Sequence, residues 1–280
     1  MTSSRSSITL NNGISIPQLG LGVFQVPPAD AQRVVETAIE AGYRHIDTAA
    51  AYNNEAGVGA AVKACGLPRE DLFVTTKLRN GNQGYDEALA AYDESCRRLG
   101  LDQVDLYLVH WPFPSADRYV DSWRALERLH AESRVRAIGV SNFLSEHLDR
   151  LQRETEVVPA VNQIELHPTY QQRELTEVCR QRGIAVEAYS PLGQGADLEH
   201  QTVRGIAAKY GKSAAQVVLR WHLQQGHIVI PKSNTPDRIR SNRDIDGFVL
   251  TADELRSITG LEDGNRLGND PRTFSLSQIR

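Results

Sequence analysis

Cysteine is scarce. The 280-residue chain carries three, Cys65, Cys96 and Cys179, an odd number with no Cys-x-x-Cys among them. That excludes a fully paired disulfide framework and suits reduced thiols in a cytoplasmic protein. No apolar run approaches the ~20 residues of a membrane-spanning helix. The first ten residues, MTSSRSSITL, lack the apolar centre of a secretory signal. A dominant charge sign is missing too: 31 basic against 35 acidic residues leave a net charge of -4. Neither nucleic acid nor an anionic membrane is therefore expected as the main partner. No low-complexity linker or charge block divides the chain, so one domain over residues 1–280 is expected, large enough to bury a core without staples.

What the sequence does have is an alternation. Short apolar runs recur near Leu19, Arg44, Leu72, Val104, Val135, Ala160, Ala185 and His227, with helix-like segments between them. That spacing belongs to βα units rather than to hairpins. Representative runs are FVTTKL (73–78), VDLYLVHW (104–111) and VNQIEL (161–166); several of the runs are apolar nearly throughout, and many turn polar at their ends. Such runs suit strands buried on both faces. Between them, Ala31, Val34, Val35 and Ala38 recur at helical spacing, as do Leu89, Tyr92, Cys96 and Leu99 before Gly100. Thr235-Pro236-Asp237 reads as a helix start with Thr235 as its cap, and Thr251 with Glu254 as a capping box. Asn12-Gly13, flanked by two short β-like arms, predicts a hairpin over about 8–16. Eight βα units predict a closed (β/α)8 TIM barrel with that hairpin, extra helices and a short tail over about 263–280. An open doubly wound sheet is the alternative, but Gly20-Leu21-Gly22-Val23-Phe24-Gln25 lacks the third glycine of its dinucleotide turn.

Barrels keep their chemistry at the C-terminal ends of strands. Asp47 closes YRHID, Tyr52 follows in the loop, Lys77 ends FVTTK and His110 ends VDLYLVH. Taken singly, an aspartate or histidine there is more often a cap or a satisfied structural group. A lysine is harder to dismiss, because it is almost never fully buried without a partner. Asp47 is a suitable partner for Lys77, but taken singly none of the four is specific.

Further stretches include LGLGVFQV (19–26), GYRHIDTAAAYNNE (42–55), LYLVHWP (106–112), IGVSNF (138–143), NQIELHP (162–168), AYSPLG (188–193) and IPKS (230–233). Through them the chain resembles the aldo-keto reductase family over nearly its whole length, most of all its bacterial 2,5-diketo-D-gluconate reductase branch. The resemblance implies an NADPH-dependent reductase of aldehydes or ketones, with Asp47, Tyr52, Lys77 and His110 as the catalytic tetrad. For that reaction Tyr52 is the natural proton donor, Lys77 the cation expected to lower its pKa, Asp47 the counter-charge of Lys77, and His110 a hydrogen-bond donor to the carbonyl oxygen. It implies that Ser141, Asn142 and Gln163 bond the nicotinamide carboxamide, that Tyr189 stacks on the ring, and that Ser190 and Leu192 line the cofactor. Lys232, Ser233 and Arg238 match the site of the adenosine 2′-phosphate, a place that two cations and a helix N-terminus suit. Asn242 matches an adenine contact; its neighbour, often glutamate in relatives, is Ser241.

For substrate, Phe24, Trp111 and Phe113 offer an apolar rim. Arg79 stands where many relatives carry tryptophan, and either charges the pocket toward polar carbonyls or points into solvent. Gly193-Gln194-Gly195 suggests a flexible strap over the cofactor. A short tail predicts an open site, and a monomer with a small-molecule carbonyl substrate is expected. Two other classes are weighed: a nicotinamide-binding barrel serving as sensor or scaffold, and a metal-dependent hydrolase. His45-Ile46-Asp47 superficially has ligand spacing, but the other histidines supply no obvious set, and no metal is expected.

Overall fold

A computed structural model describes residues 6–275. The hairpin strands β1 (Ser7–Thr9) and β2 (Ser15–Pro17) pair antiparallel. Eight parallel strands follow in sequence order: β3 (Leu21–Gly22), β4 (His45–Asp47), β5 (Phe73–Leu78), β6 (Val104–Val109), β7 (Val135–Ser141), β8 (Val161–Glu165), β9 (Ala185–Tyr189) and β10 (Ile228–Val229). The last strand returns to the first. Leu19 bridges Val229 in parallel, the Gly20 N–H donates to Val229 O at 2.8 Å, and the Gly22 N–H to Pro231 O at 3.2 Å. Closure removes every edge, as a (β/α)8 barrel must. The expected barrel, its hairpin and its extra helices are all present.

Helices α1 (Pro28–Glu40), α2 (Glu55–Ala64), α3 (Tyr85–Leu99), α4 (Tyr119–Ala131), α5 (Ser145–Glu154) and α6 (Arg173–Gln181) cover the barrel in turn. After β9 come a 3-10 segment at Gly193–Glu199 and α7 (Gln201–Tyr210) before α8 (Ala214–Gln224); α9 (Pro236–Arg243) and α10 (Ala252–Thr259) complete the layer. Local signals account for several boundaries. In α1 the spaced Ala31, Val34, Val35 and Ala38 are all buried. Helix α3 stops where Gly100 takes φ +63°, a left-handed cap glycine adopts without strain. Helices α2 and α3 meet so closely that a Cβ on Gly59 would stand 1.8 Å from Leu99 O. Thr251 forms the expected capping box with Glu254. Thr235 precedes Pro236 at the start of α9, but its side chain caps nothing; Ser233 Oγ accepts the Thr235 N–H instead.

The barrel interior changes character along its axis. Side chains alternate along a strand, so residues two apart face the same way. At the bottom, hairpin residues Leu10 and Ile16 pack with Phe73, Leu106, Ala137, Val161 and Ile228. Two residues further up, β5 presents Thr75, β8 Gln163 and β9 Glu187; near the top stand Asp47, Lys77, His110, Ser141 and Tyr189. The hairpin closes an apolar floor, and polar groups collect toward the strand C-termini.

Candidate active site

A cavity of about 360 Å³ opens at that end. Tyr52, Asp47 and His110 line it, with Phe24, Trp111, Ser141, Asn142, Gln163, Tyr189, Ser190 and Lys232. Tyr52 sits in a short 3-10 turn, Ala50–Tyr52, after β4. That turn is held from below by buried Asn54, whose amide nitrogen donates to Val23 O at 2.9 Å and whose oxygen accepts from Thr48 Oγ1 at 2.8 Å. Five non-glycine residues lining the cavity have left-handed backbones: Gln25, Asn53, Asn142, Ser190 and Gln194. Such residues cost of order 1–3 kcal/mol each and persist where the surroundings hold them, characteristically at functional sites.

Lys77 is fully buried. Its Nζ donates to Asp47 Oδ1 at 2.5 Å, to Thr48 O at 2.9 Å and to Tyr52 Oη at 3.4 Å. A buried ammonium with a carboxylate at this distance stays charged: burial opposes the charge, but Asp47, Tyr52 and Glu187 outweigh it and raise the pKa. Burial pushes the Asp47 carboxyl up against the pull of Lys77. For Tyr52 the outcome corrects one expectation. Lys77 does lower its pKa, but burial raises it more, with Asp47 and Glu187 adding to the rise, so the phenol stands above its ordinary value. Tyr52 is therefore a fully protonated donor at neutral pH. The His110 ring meets the Tyr52 ring edge-on at 5.6 Å, and its Nδ1 is buried without a partner. Burial, aided by Lys77, drives the His110 pKa well down, so the imidazole is neutral and can donate only through the one nitrogen that carries hydrogen.

The expected nicotinamide ligands meet one another here. Ser141 Oγ donates to Gln163 O at 2.9 Å; Asn142 Nδ2 donates to His110 O at 3.0 Å, and its Oδ1 accepts from Tyr189 Oη at 2.8 Å. Gln163 turns its amide nitrogen inward, to Asp47 Oδ2 at 2.8 Å and Glu187 Oε2 at 2.9 Å. Lys232 is exposed at the cavity edge, Arg238 is exposed on α9, and neither has an ion-pair partner among the described residues. Ser190 lines the cavity, whereas Leu192 packs against the core and Ser233 and Asn242 are buried outside the lining.

Two expected substrate residues lie elsewhere. Phe113 is buried outside the cavity lining, and Arg79 is exposed and also outside it. A strand-end position carries no information about which way the chain turns next. The wall is completed instead by the tail, against the expectation of an open mouth. Gly268, Asn269 and Phe274 line the cavity, and Phe274 stacks on Trp111 with ring centroids 4.0 Å apart. Glu165 holds that tail: its oxygens accept the Leu267 N–H at 2.6 Å and the Gly268 N–H at 2.8 Å. Buried His167 lies between Glu165 (3.3 Å) and Asp197 (2.9 Å), the latter in the 3-10 segment over the mouth. Sequence reasoning gave His167 no role; the acid Glu165, closing VNQIE at a strand end two residues before His167, was the available signal.

Comparison with known proteins agrees with this geometry. The profile of the Aldo/keto reductase family matches residues 18–263. An aldo-keto reductase of Mycolicibacterium smegmatis is 56% identical over 270 residues, covering 96% of this chain and 98% of that protein. The glyoxal reductase of Bacillus subtilis is 48% identical over 271 residues, covering 96% and 98%. A crystal structure of a Gox0644 mutant in complex with NADPH is 46% identical, with a TM-score of 0.94, covering 98% of this chain and all of that one.

Proposed function

The chain belongs to the aldo/keto reductase family, and from that premise we propose that it is an NADPH-dependent reductase of small polar aldehydes and ketones with Tyr52 as its general acid. One observation carries the reading: a buried Asp47–Lys77 pair places its ammonium 3.4 Å from the hydroxyl of a tyrosine on the cavity wall, beside a neutral histidine. A structural ion pair has no need of a phenol at the mouth.

The residues present fit the dinucleotide. Tyr189 offers a ring on the wall, Ser141, Asn142 and Gln163 cluster their polar atoms beside it, and Lys232 at the cavity edge and Arg238 on α9, outside the lining, are uncompensated by described carboxylates. When bound, reduced nicotinamide supplies a hydride. Everything else falls to the chain. The substrate carbonyl oxygen is received between Tyr52 Oη and the donor nitrogen of His110, which orient it and stabilise the charge it develops. Tyr52 gives its proton to that oxygen, so the carbonyl gains a hydride at carbon and a proton at oxygen, two electrons and two protons overall, and leaves as the alcohol. Lys77 stabilises the phenolate left behind until solvent reprotonates it. Trp111, Phe274 and Phe24 give the substrate an apolar wall, with Asn53, Gln25 and Asn269 as polar contacts. The glyoxal reductase relative supports a small polar carbonyl. Three cysteines without disulfides suit a cytoplasmic location, and no helix among the described residues is long and apolar enough to cross a membrane.

The test is to follow nicotinamide absorbance across a panel of dicarbonyls, keto acids, keto sugars and simple aldehydes, in the wild type and in Tyr52→Phe. Turnover with small polar carbonyls that collapses in the variant supports the reading. NADPH binding with no turnover on any member would leave a sensor or scaffold in its place.

A further inference from the structure

Glu187, on β9, is a fully buried acid that the reaction above does not use. Its Oε2 accepts from Gln163 Nε2 at 2.9 Å, and the same nitrogen donates to Asp47 Oδ2 at 2.8 Å, so one amide bridges two carboxyl groups. Its Oε1 has no hydrogen bond and stands 3.5 Å from His45 Nε2.

The charges around it can be taken strand by strand. From β4 come His45 and Asp47, and from β5 Lys77 with neutral Thr75. From β8 come Gln163 and, one step higher, Glu165, whose oxygens are already given to the tail N–H groups and His167. On β10 the residue in register is Ile228, and Tyr189 follows on β9 itself. Lys77 is thus the one cation among these groups, and Asp47 holds it at 2.5 Å. His45 cannot serve as a second: burial above all, with Lys77 adding to it, pushes the imidazole down to about 3. An ionised Glu187 would leave an uncompensated negative charge at a fully buried position inside the barrel, which is strongly unfavourable.

We propose that Glu187 is a positioning residue that keeps a proton beneath the tetrad, so that the field of Lys77 acts on Tyr52 without a second buried negative charge beside it. The inference rests on the reductase reading for its kinetic consequence. Burial, then repulsion from Asp47, raises the Glu187 pKa to about 8. Once ionised, it raises the pKa of Tyr52 and makes it a poorer acid. The direction follows: reduction is fastest with Glu187 neutral and weakens as pH rises through that range. Glu187→Gln keeps the shape and the neutral charge at all pH. Between about pH 7 and about pH 9, kcat for reduction is expected to fall up to about tenfold further in the wild type than in Glu187→Gln, because only about one tenth of an acid titrating at about 8 is still neutral near pH 9. Glu187→Asp, which restores a titrating acid, should restore the decline.

A second measurement is independent of turnover. With glutamate labelled at the side-chain carboxyl carbon, one resonance present in the wild type and missing in Glu187→Gln should titrate in the mildly alkaline range. Superimposable pH profiles, a uniform loss at every pH, or a resonance titrating in the ordinary glutamate range would each overturn the proposal. If the carbonyl panel shows no turnover, the reductase reading fails alone, and the resonance still decides the protonation of Glu187.

Discussion

At the deep end of the cavity, Lys77 is fully buried, with a carboxylate, a carbonyl and a phenol around its three protons. Lys232, at the cavity edge, and Arg238, on α9 outside the lining, are exposed, and no described carboxylate pairs with either. The same charge is handled in opposite ways. Where a proton must move, the fold fixes donor, cation and counter-charge in advance, because misplacement by even ~1 Å at such a centre can cost about a hundredfold in rate. Where a phosphate is to be held, the cations remain in water until the ligand brings the counter-charge. Built-in ion pairing there would have to be broken on binding.

The largest test of that contrast is at the deep end. Replacing Tyr52 by Phe removes the proton donor and little else, so kcat for reduction is expected to fall about 10²- to 10⁴-fold, the usual worth of a positioned general acid. NADPH affinity, measured by fluorescence titration, should change by about twofold at most, because the phosphate cations are left in place. A variant keeping most of its kcat would show that the buried pair serves stability alone.

Next comes the mouth's own fixed point. His167 joins Glu165, which holds the tail, to Asp197, which holds the 3-10 segment. Burial disfavours its charge, but hydrogen bonds to Asp197 and Glu165 overcome this and raise its pKa to about 9. Because the folded pKa lies above the unfolded one, the contribution to stability is full below about pH 6.5 and is lost as pH rises through about 9. A rise of this size corresponds to about 3 kcal/mol. The two carboxyls have lowered pKa values, so their share is lost instead as pH falls into the acid range. In urea unfolding, His167→Gln should be about 3 kcal/mol less stable near pH 6, with a much smaller gap near pH 10. A gap that does not change with pH would mean that the imidazole is held neutral.

The exposed cations give a smaller effect. Arg238→Ala should weaken NADPH binding about tenfold or somewhat more, as expected for one charge-assisted hydrogen bond, and leave NADH nearly unchanged. Equal losses for the two would move the 2′-phosphate away from α9.

The same contrast decides what could be read from the sequence. Asp47, Lys77 and His110 were legible because they end strands, and the ends of adjacent barrel strands converge whatever the loops do. Phe113 and Arg79 lie beyond strand ends, where direction depends on tertiary contacts, and neither lines the cavity. Phe274 was not legible for a related reason. Nothing near it announces a pocket; it arrives there because Glu165, over a hundred residues earlier, captures two backbone N–H groups of the tail. Glu187 was hidden differently. The run IAVEAYSPL reads as an ordinary buried strand, and the meaning of one acid within it emerges only when Gln163 and Asp47 are seen across the barrel.

The smallest effect asks whether the tail depends on the helix that leads into it. Thr251 caps α10: its hydroxyl accepts the Glu254 N–H, and the Glu254 carboxylate accepts the Thr251 N–H at 2.8 Å. Thr251→Ala should cost about 1 kcal/mol of unfolding free energy, the usual loss for such a cap. Two outcomes for catalysis are distinguishable. If the tail is held at its far side by Glu165, KM for the carbonyl stays unchanged, because the Leu267 and Gly268 bonds do not involve α10. If instead KM rises along with the loss of stability, the wall made by Phe274 depends on α10, and the mouth is less independently built than the His167 cluster indicates. The first outcome is expected, since α10 is tied separately to the body through Thr259, which accepts from Gln171, Arg173 and Trp221.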